Sequence, residues 1–244
     1  MIDYSRHILS SYDAALLALE DDVIRMASLC ERNLLNSRGG LLNRDMELCH
    51  LTIANDGEID QMEKRVDKNG MDILRRFQPV ASDLRHIVAA MKLSGNLERI
   101  GDKAVSIARK ARVLNESPIA PEVNMLDPMY AEVMAMLNDC MRAYAESDAE
   151  LAITIPARDR TLDALNHEMT ERLTAVMSGS PGNIMVYLDL ILIARHLERA
   201  GDYLRAIAED IVYAIAAEDI RHMGGRRPLS PAGDAAGGEE VLAS

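Results

Sequence analysis

The segment "LERIGD" at 97–102 sets Glu98 and Asp102 four residues apart with Gly101 between them, and "LERAGD" at 197–202 repeats the phrase 100 positions later with Glu198, Gly201 and Asp202. On an α-helix, residues four apart share a face, so each pair forms a carboxylate column. The line through Glu98 and Asp102 continues through Ile87, Met91, Ser94 and Val105, and the second runs through Tyr187, Ile191 and Ala194. The acids therefore interrupt columns of apolar or small residues and lie off the obviously solvated face. Like charges at this spacing destabilise an isolated helix by a few tenths of a kcal/mol, and partial burial of unpaired carboxylates costs more. The mid-helix glycines add up to about 1 kcal/mol each against alanine and leave the backbone open to close approach. Three things can offset this: a bound cation, a partner's arginine, or protonation.

Matching acids precede each pair. "NDGEIDQMEKRVD" at 55–67 puts Asp56, Asp60, Glu63 and Asp67 on one stripe, and "RDRTLDALNHE" at 158–168 repeats the spacing with Asp159 and Asp163, with Asn166 where Glu63 stood. If the helices carrying these stripes are antiparallel neighbours of the "LERxGD" helices, four carboxylates converge in each half. The first set is Asp56, Asp60, Glu98 and Asp102; the second is Asp159, Asp163, Glu198 and Asp202. Glu63 and Glu209 are candidates for an additional ligand or for a hydrogen-bonding partner of one. An all-oxygen donor set without histidine or thiolate suits a hard cation, namely iron, Mn²⁺, Mg²⁺ or Ca²⁺. The competing reading pairs the same acids with Arg65, Arg99, Arg160 or Arg199 at an ordinary surface.

The elements that must position these columns are helices. The chain of 244 residues is 48% apolar, rich in methionine (15) and poor in aromatics (3%), with Leu, Ile, Met and Ala at helical spacing. "SRGG" at 37–40 ends a first helix that starts near Asp3; a second spans about 43–77; "QPVAS" at 78–82 opens a third to about Leu114. "NESPIAPEV" at 115–123 reads as a linker, and three more helices follow at about 125–147, 149–177 and 183–220. The architecture expected is all-α, with two tandem antiparallel three-helix bundles at 1–116 and 117–222 related by duplication. Residues 223–244, rich in Gly and Pro, are expected to be a disordered tail. Met125, Met129, Met134, Met136 and Met141 read either as core filler or as an adaptable binding face.

A net charge of −12 opposes binding to nucleic acid. The N-terminus has no basic region followed by an apolar stretch, and the longest apolar run, 184–194, is short and contains Asp189. The expected location is the cytoplasm. Cys30, Cys49 and Cys140 are widely spaced and make no disulfide or zinc pattern. A carboxylate-bridged di-iron enzyme would need paired Glu-x-x-His motifs, and Glu47 with His50 supplies one. No nucleophile elbow or phosphate loop occurs, so no reaction and no catalytic residue is expected. A metal-free helical adaptor or dimerisation module is the other alternative.

"QPVASDLR" at 78–85, "LERIGDKA" at 97–104, "HLERAGDYLRAIAEDIVY" at 196–213 and "EDIRH" at 218–222 together resemble the PhoU family of phosphate-signalling accessory proteins, over about 1–222. The resemblance implies two three-helix bundles and a regulator that helps repress the phosphate-starvation response. It implies contacts with the ATPase subunit of a phosphate ABC transporter and with a membrane sensor histidine kinase, so the membrane is met only through partners; a homodimer is expected. It also implies metal held by paired E(D)xxxD motifs, which the eight acids above match. The chain departs from the family where Gly-Asp-His followed by Asn is common: Tyr203 and Ala206 stand there. Arg205 lies one turn beyond Asp202, where the first half has Val105, and its guanidinium can neutralise Glu198 and Asp202 without metal.

Overall fold

A computed structural model describes residues 4–118, 120–179 and 181–221, and the 223–244 stretch read as a tail lies outside these. The described residues are all-α. The first half comprises α1 (Tyr4–Leu42), α2 (Met46–Ala54), α3 (Asp56–Phe77) and α4 (Ala81–Asn115). The second comprises α5 (Asp127–Glu146), α6 (Ala149–Thr154), α7 (Asp159–Met177) and α8 (Ile184–Ala216), with short 3₁₀ segments at Pro121–Leu126, Ile155–Ala157 and Pro181–Asn183. Each half is a three-helix bundle whose middle helix is broken.

Those breaks correct the expected continuous helices at 43–77 and 149–177. In the first half the chain kinks at Asn55, which ends α2 and precedes α3. In the second, Pro156 lies within the 3₁₀ turn between α6 and α7, since proline cannot donate to the helical ladder and clashes with the preceding turn. Asp56 and Asp159 thereby become the first residues of α3 and α7, where the helix dipole favours a negative charge. A second correction concerns "SRGG": α1 runs through it to Leu42. Gly39 and Gly40 let α2 lie against α1, because a Cβ would stand 2.6 Å from Leu48 Cδ1 and 2.5 Å from Cys49 Sγ respectively. The stop comes instead after Leu42, where Arg44 takes a left-handed backbone, and Asp45, whose side chain accepts from the Glu47 and Leu48 amides, starts α2.

The helices form two layers. One holds α3, α4, α8 and α7 in that order; α1 and α5 lie beneath, α1 against α3 and α4, α5 against α7 and α8, and the two touch each other. The most extensive helix pairing, α4 with α8, joins the halves. It is antiparallel: Arg85 Nε donates to the Ala214 carbonyl, Lys92 Nζ lies 2.8 Å from Asp210, Arg99 stacks on Tyr203, and Lys110 Nζ lies 2.8 Å from Asp189. The core is aliphatic and methionine-filled. Met129 and Met136 are fully buried and Met125, Met134 and Met141 pack against the core from its edge, so these methionines act as filler. All three cysteines are buried and free.

Candidate metal centre

The duplication places the acid columns at equivalent edges of the outer layer, where α3 meets α4 and α7 meets α8. Gly101 and Gly201 make these meetings possible. A Cβ on Gly101 would stand 2.8 Å from Ile59 Cδ1, and one on Gly201 would collide with Leu162 Cδ1. Ile59 and Leu162 occupy the same place in the repeat, between the two acids of their helix. What approaches the glycine backbone is therefore the side chain of the neighbouring helix, and the close packing draws the acids of both helices together.

In the first half Asp56, Asp60, Glu63 and Glu98 are half-buried, while Asp102 is exposed. Burial pushes the Glu98 carboxyl above the usual carboxylate range; Asp102, Glu63 and Asp60 push the same way and Arg99 opposes them. Asp56 is raised by burial and by Asp102 and Asp60, against a pull from Arg109, whose Nη2 lies 3.8 Å away. The five acids thus share one negative field. Asp102 does not lie in the apolar setting its column suggested, because the exposed edge of α4 begins there. Asp67, on the same stripe, is also exposed.

In the second half Asp159 is buried, 3% exposed, and Glu198 and Asp202 are half-buried, while Asp163 is exposed. Arg205 bridges the site: Nη1 lies 2.6 Å from Asp159 Oδ2 and Nη2 lies 3.2 Å from Asp202 Oδ1. The guanidinium joins Asp159 to Asp202 and not, as its spacing suggested, Glu198 to Asp202. Asp159 Oδ1 is buried without a hydrogen-bond partner. Burial raises the Asp159 carboxyl; Arg205 lowers it, and Asp202 and Asp163 raise it again. Glu198 is raised by burial, then by Asp202, Asp163 and Asp159, with Arg195 opposing. Val105, the counterpart of Arg205, is buried and carries no charge.

Among the described residues no three acidic, histidine or cysteine side chains close into a ligand cage. The carboxylates converge as a field, with oxygens near enough to raise one another's proton affinity. An oxygen-only donor set whose mutual repulsion is only partly offset, by Arg109 at 3.8 Å from Asp56 and by Arg99, fits a hard cation in the first half. The second half fits it less well, because an arginine already sits there. The surface arginines of the competing reading are placed elsewhere: Arg65 pairs with the buried Asp22, which also accepts from Asn69, and Arg99 stacks on Tyr203. Arg160 and Arg199 make no ion pair among the described residues. Glu209, the other candidate extra ligand, is half-buried on α8. Glu47 and His50 are both exposed, outside any bundle core.

Three features escaped the spacing argument: the Arg205 bridge to α7, the Arg109 contact to Asp56, and the helix starts at both leading acids. Asn-Asp-Gly at 55–57 and Pro156 were legible signals for the last. The arginine contacts depend on the register between helices.

Relatives share this fold. The PhoU domain model matches residues 23–111 and again 126–211, one copy in each bundle. The phosphate-specific transport system accessory protein PhoU homolog of Pseudomonas putida is 34% identical over 91% of this chain and 88% of its own length. The phosphate-specific transport system accessory protein PhoU of Escherichia coli is 30% identical over 92% and 93%. The crystal structure of PhoU from Pseudomonas aeruginosa superposes with a TM-score of 0.82 at 32% identity, over 85% of this chain and all of that one. With both acid-bearing bundles matched by the same domain and most of the chain matched by these relatives, the chain belongs to the PhoU family.

Proposed function

We propose that this protein is a cytoplasmic regulator of phosphate uptake and phosphate-starvation signalling, acting by contact with the ATPase subunit of a phosphate ABC transporter and with a sensor histidine kinase. The relatives' description as accessory proteins of phosphate-specific transport supports the general role. The observation that carries the mechanism is the repeated acid column beside a glycine-mediated helix contact. In the first half Asp56, Asp60, Glu98 and Asp102, with Glu63 beside them, would hold a hard cation such as iron, Mn²⁺, Mg²⁺ or Ca²⁺. In the second half Asp159, Asp163, Glu198 and Asp202, with Glu209 nearby, form the corresponding set around Arg205. A bound cation would offset the burial and the mutual repulsion that raise Glu98 and Asp56 and so tie α3 to α4. No catalytic step is assigned to any residue, and the protein works as a homodimer, each protomer carrying the bundles 1–116 and 117–222. Among the described residues no helix is long and apolar enough to cross a membrane.

The test combines metal content with signalling. Asp102→Ala removes an exposed carboxylate, so the fold should persist. The expected result is lower bound metal and release of phosphate-uptake genes from repression in ample phosphate. Unchanged metal content with intact repression would refute the role of this column. A metal-free adaptor is the second reading, and Arg205, an internal cation in place of a bound one, is what favours it. Full repression by protein stripped of metal would establish that reading.

A further inference from the structure

We propose that the outer face of α4 and α8 is the docking surface for an acidic amphipathic helix of a partner protein, which deepens the accessory role proposed above by giving it a contact surface. Each of these helices is covered on three sides: by α1 or α5 beneath, by the other of the pair, and by α3 or α7. The fourth side is open along the pair.

Its residues form a pattern. At one end Leu84, Val88 and Tyr213 are exposed, and at the other Val113, Leu188 and Leu192. The duplication relates the ends, since Leu188 follows Val88 and Tyr213 follows Val113 by 100 positions. Between them lie Arg99, Arg195 and Arg199, all exposed, and half-buried Lys103. None of the four forms an ion pair among the described residues, although Arg99 stacks on Tyr203. A basic middle with apolar ends is thus carried by a protein of net charge −12.

Charge complementarity selects the occupant. A second copy docking through the same face about a two-fold axis would set basic middle against basic middle. A flat anionic membrane would press the flanking Glu98–Asp102 and Glu198–Asp202 columns against like charge. A rod avoids both. The antiparallel contacts run from Arg85 to Lys110 of α4, 25 helical steps or about 38 Å at the helical rise. A helix of about 25 residues, acidic at its centre and apolar near its ends, matches this length in the groove between the pair.

The test uses the full-length protein and a synthetic helical peptide of about 25 residues with central glutamates and terminal leucines, alongside its lysine counterpart. Arg195→Glu with Arg199→Glu reverses the basic middle; Arg160→Glu with Arg172→Glu on α7 makes the same charge change elsewhere. The proposal expects wild-type binding of the glutamate peptide, weakened roughly tenfold or more by the α8 reversal, little changed by the α7 control, and falling with salt. Failure to bind that peptide, or equal binding by the α8 variant, would overturn it. Preferential binding to phosphatidylglycerol vesicles, lost on reversal, would assign the face to lipid and overturn it too. A parallel arm presents the transporter ATPase and the kinase's cytoplasmic region. Loss of either complex on reversal supports the surface as their dock, and an unaffected complex overturns it. If neither binds the wild type while the peptide result holds, the face stands and the partners named under the proposed function fail.

Discussion

Arg205 Nη1 lies 2.6 Å from Oδ2 of Asp159, so a residue of α8 neutralises the first residue of α7 across the second acid field. In the first half the equivalent residue is Val105, and the arginine one turn beyond it, Arg109, reaches the leading acid Asp56 only at 3.8 Å and touches no second acid of the set. Two halves that arose as copies therefore manage the same electrostatic problem differently. In the second, half-exposed Arg205 touches both a buried carboxylate and, one turn earlier on its own helix, Asp202.

Arg205→Val leaves Asp159 buried without its cation. Removing one partner of a buried pair costs several kcal/mol, and the exposure of the guanidinium scales this down to about 1–3 kcal/mol. Chemical denaturation of the metal-free protein should show this loss, and Asp159→Asn in the same chain should restore most of it. Added Mn²⁺ should raise the melting temperature of Arg205→Val more than that of the wild type, because the variant frees Asp159 and Asp202 from the guanidinium, as Val105 leaves the first half without one at that register. Equal shifts in both proteins would show that Arg205 does not compete with metal.

The glycine contact makes a separate prediction. Gly201→Val places side-chain atoms where Leu162 Cδ1 already lies and crowds Asp159 Oδ1, which is 3.3 Å from the position of a Cβ. Overpacking of this kind costs about 1–3 kcal/mol. Gly101→Val meets the equivalent Ile59, with a slightly wider gap, and should cost less. Leu162→Ala combined with Gly201→Val should recover part of the loss, and a double-mutant cycle by denaturation would read the coupling.

His196 gives the pH prediction. Its Nδ1 is buried without a partner, and burial, followed by Lys103, Lys110 and Arg199, holds its pKa at about 4. A depressed pKa means that the folded state disfavours the proton. The contribution to stability is full above the unfolded value, about 6.5, and is lost as pH falls toward about 4. Allowing for its partial exposure, the loss is about 1–2 kcal/mol. His196→Gln should flatten stability across that window and leave the neutral-pH fold intact. An unchanged pH profile would remove His196 from the account.

Helical periodicity, the duplication and the grouping of acids into four columns were legible in the chain, because each is local. A spacing of four means one helix face wherever the helix sits. The breaks at Asn55 and Pro156 were locally encoded as well but were hidden inside long apolar periodicity that suggested uninterrupted helices. Asp102 turned out exposed although its column neighbours are apolar or small, since burial depends on how far the adjacent helix extends over each turn.

The sequence by itself therefore determined the helices, the repeat and the carboxylates that must lie near one another. Tertiary structure decided what stands opposite them: Ile59 and Leu162 against the glycines, Arg205 rather than Arg160 or Arg199 among the acids, and α4 against α8 with one face left open. The physical reason is that spacing along a helix follows from its 3.6-residue turn, whereas the partner across an interface is fixed by the register and crossing of two helices far apart in the chain.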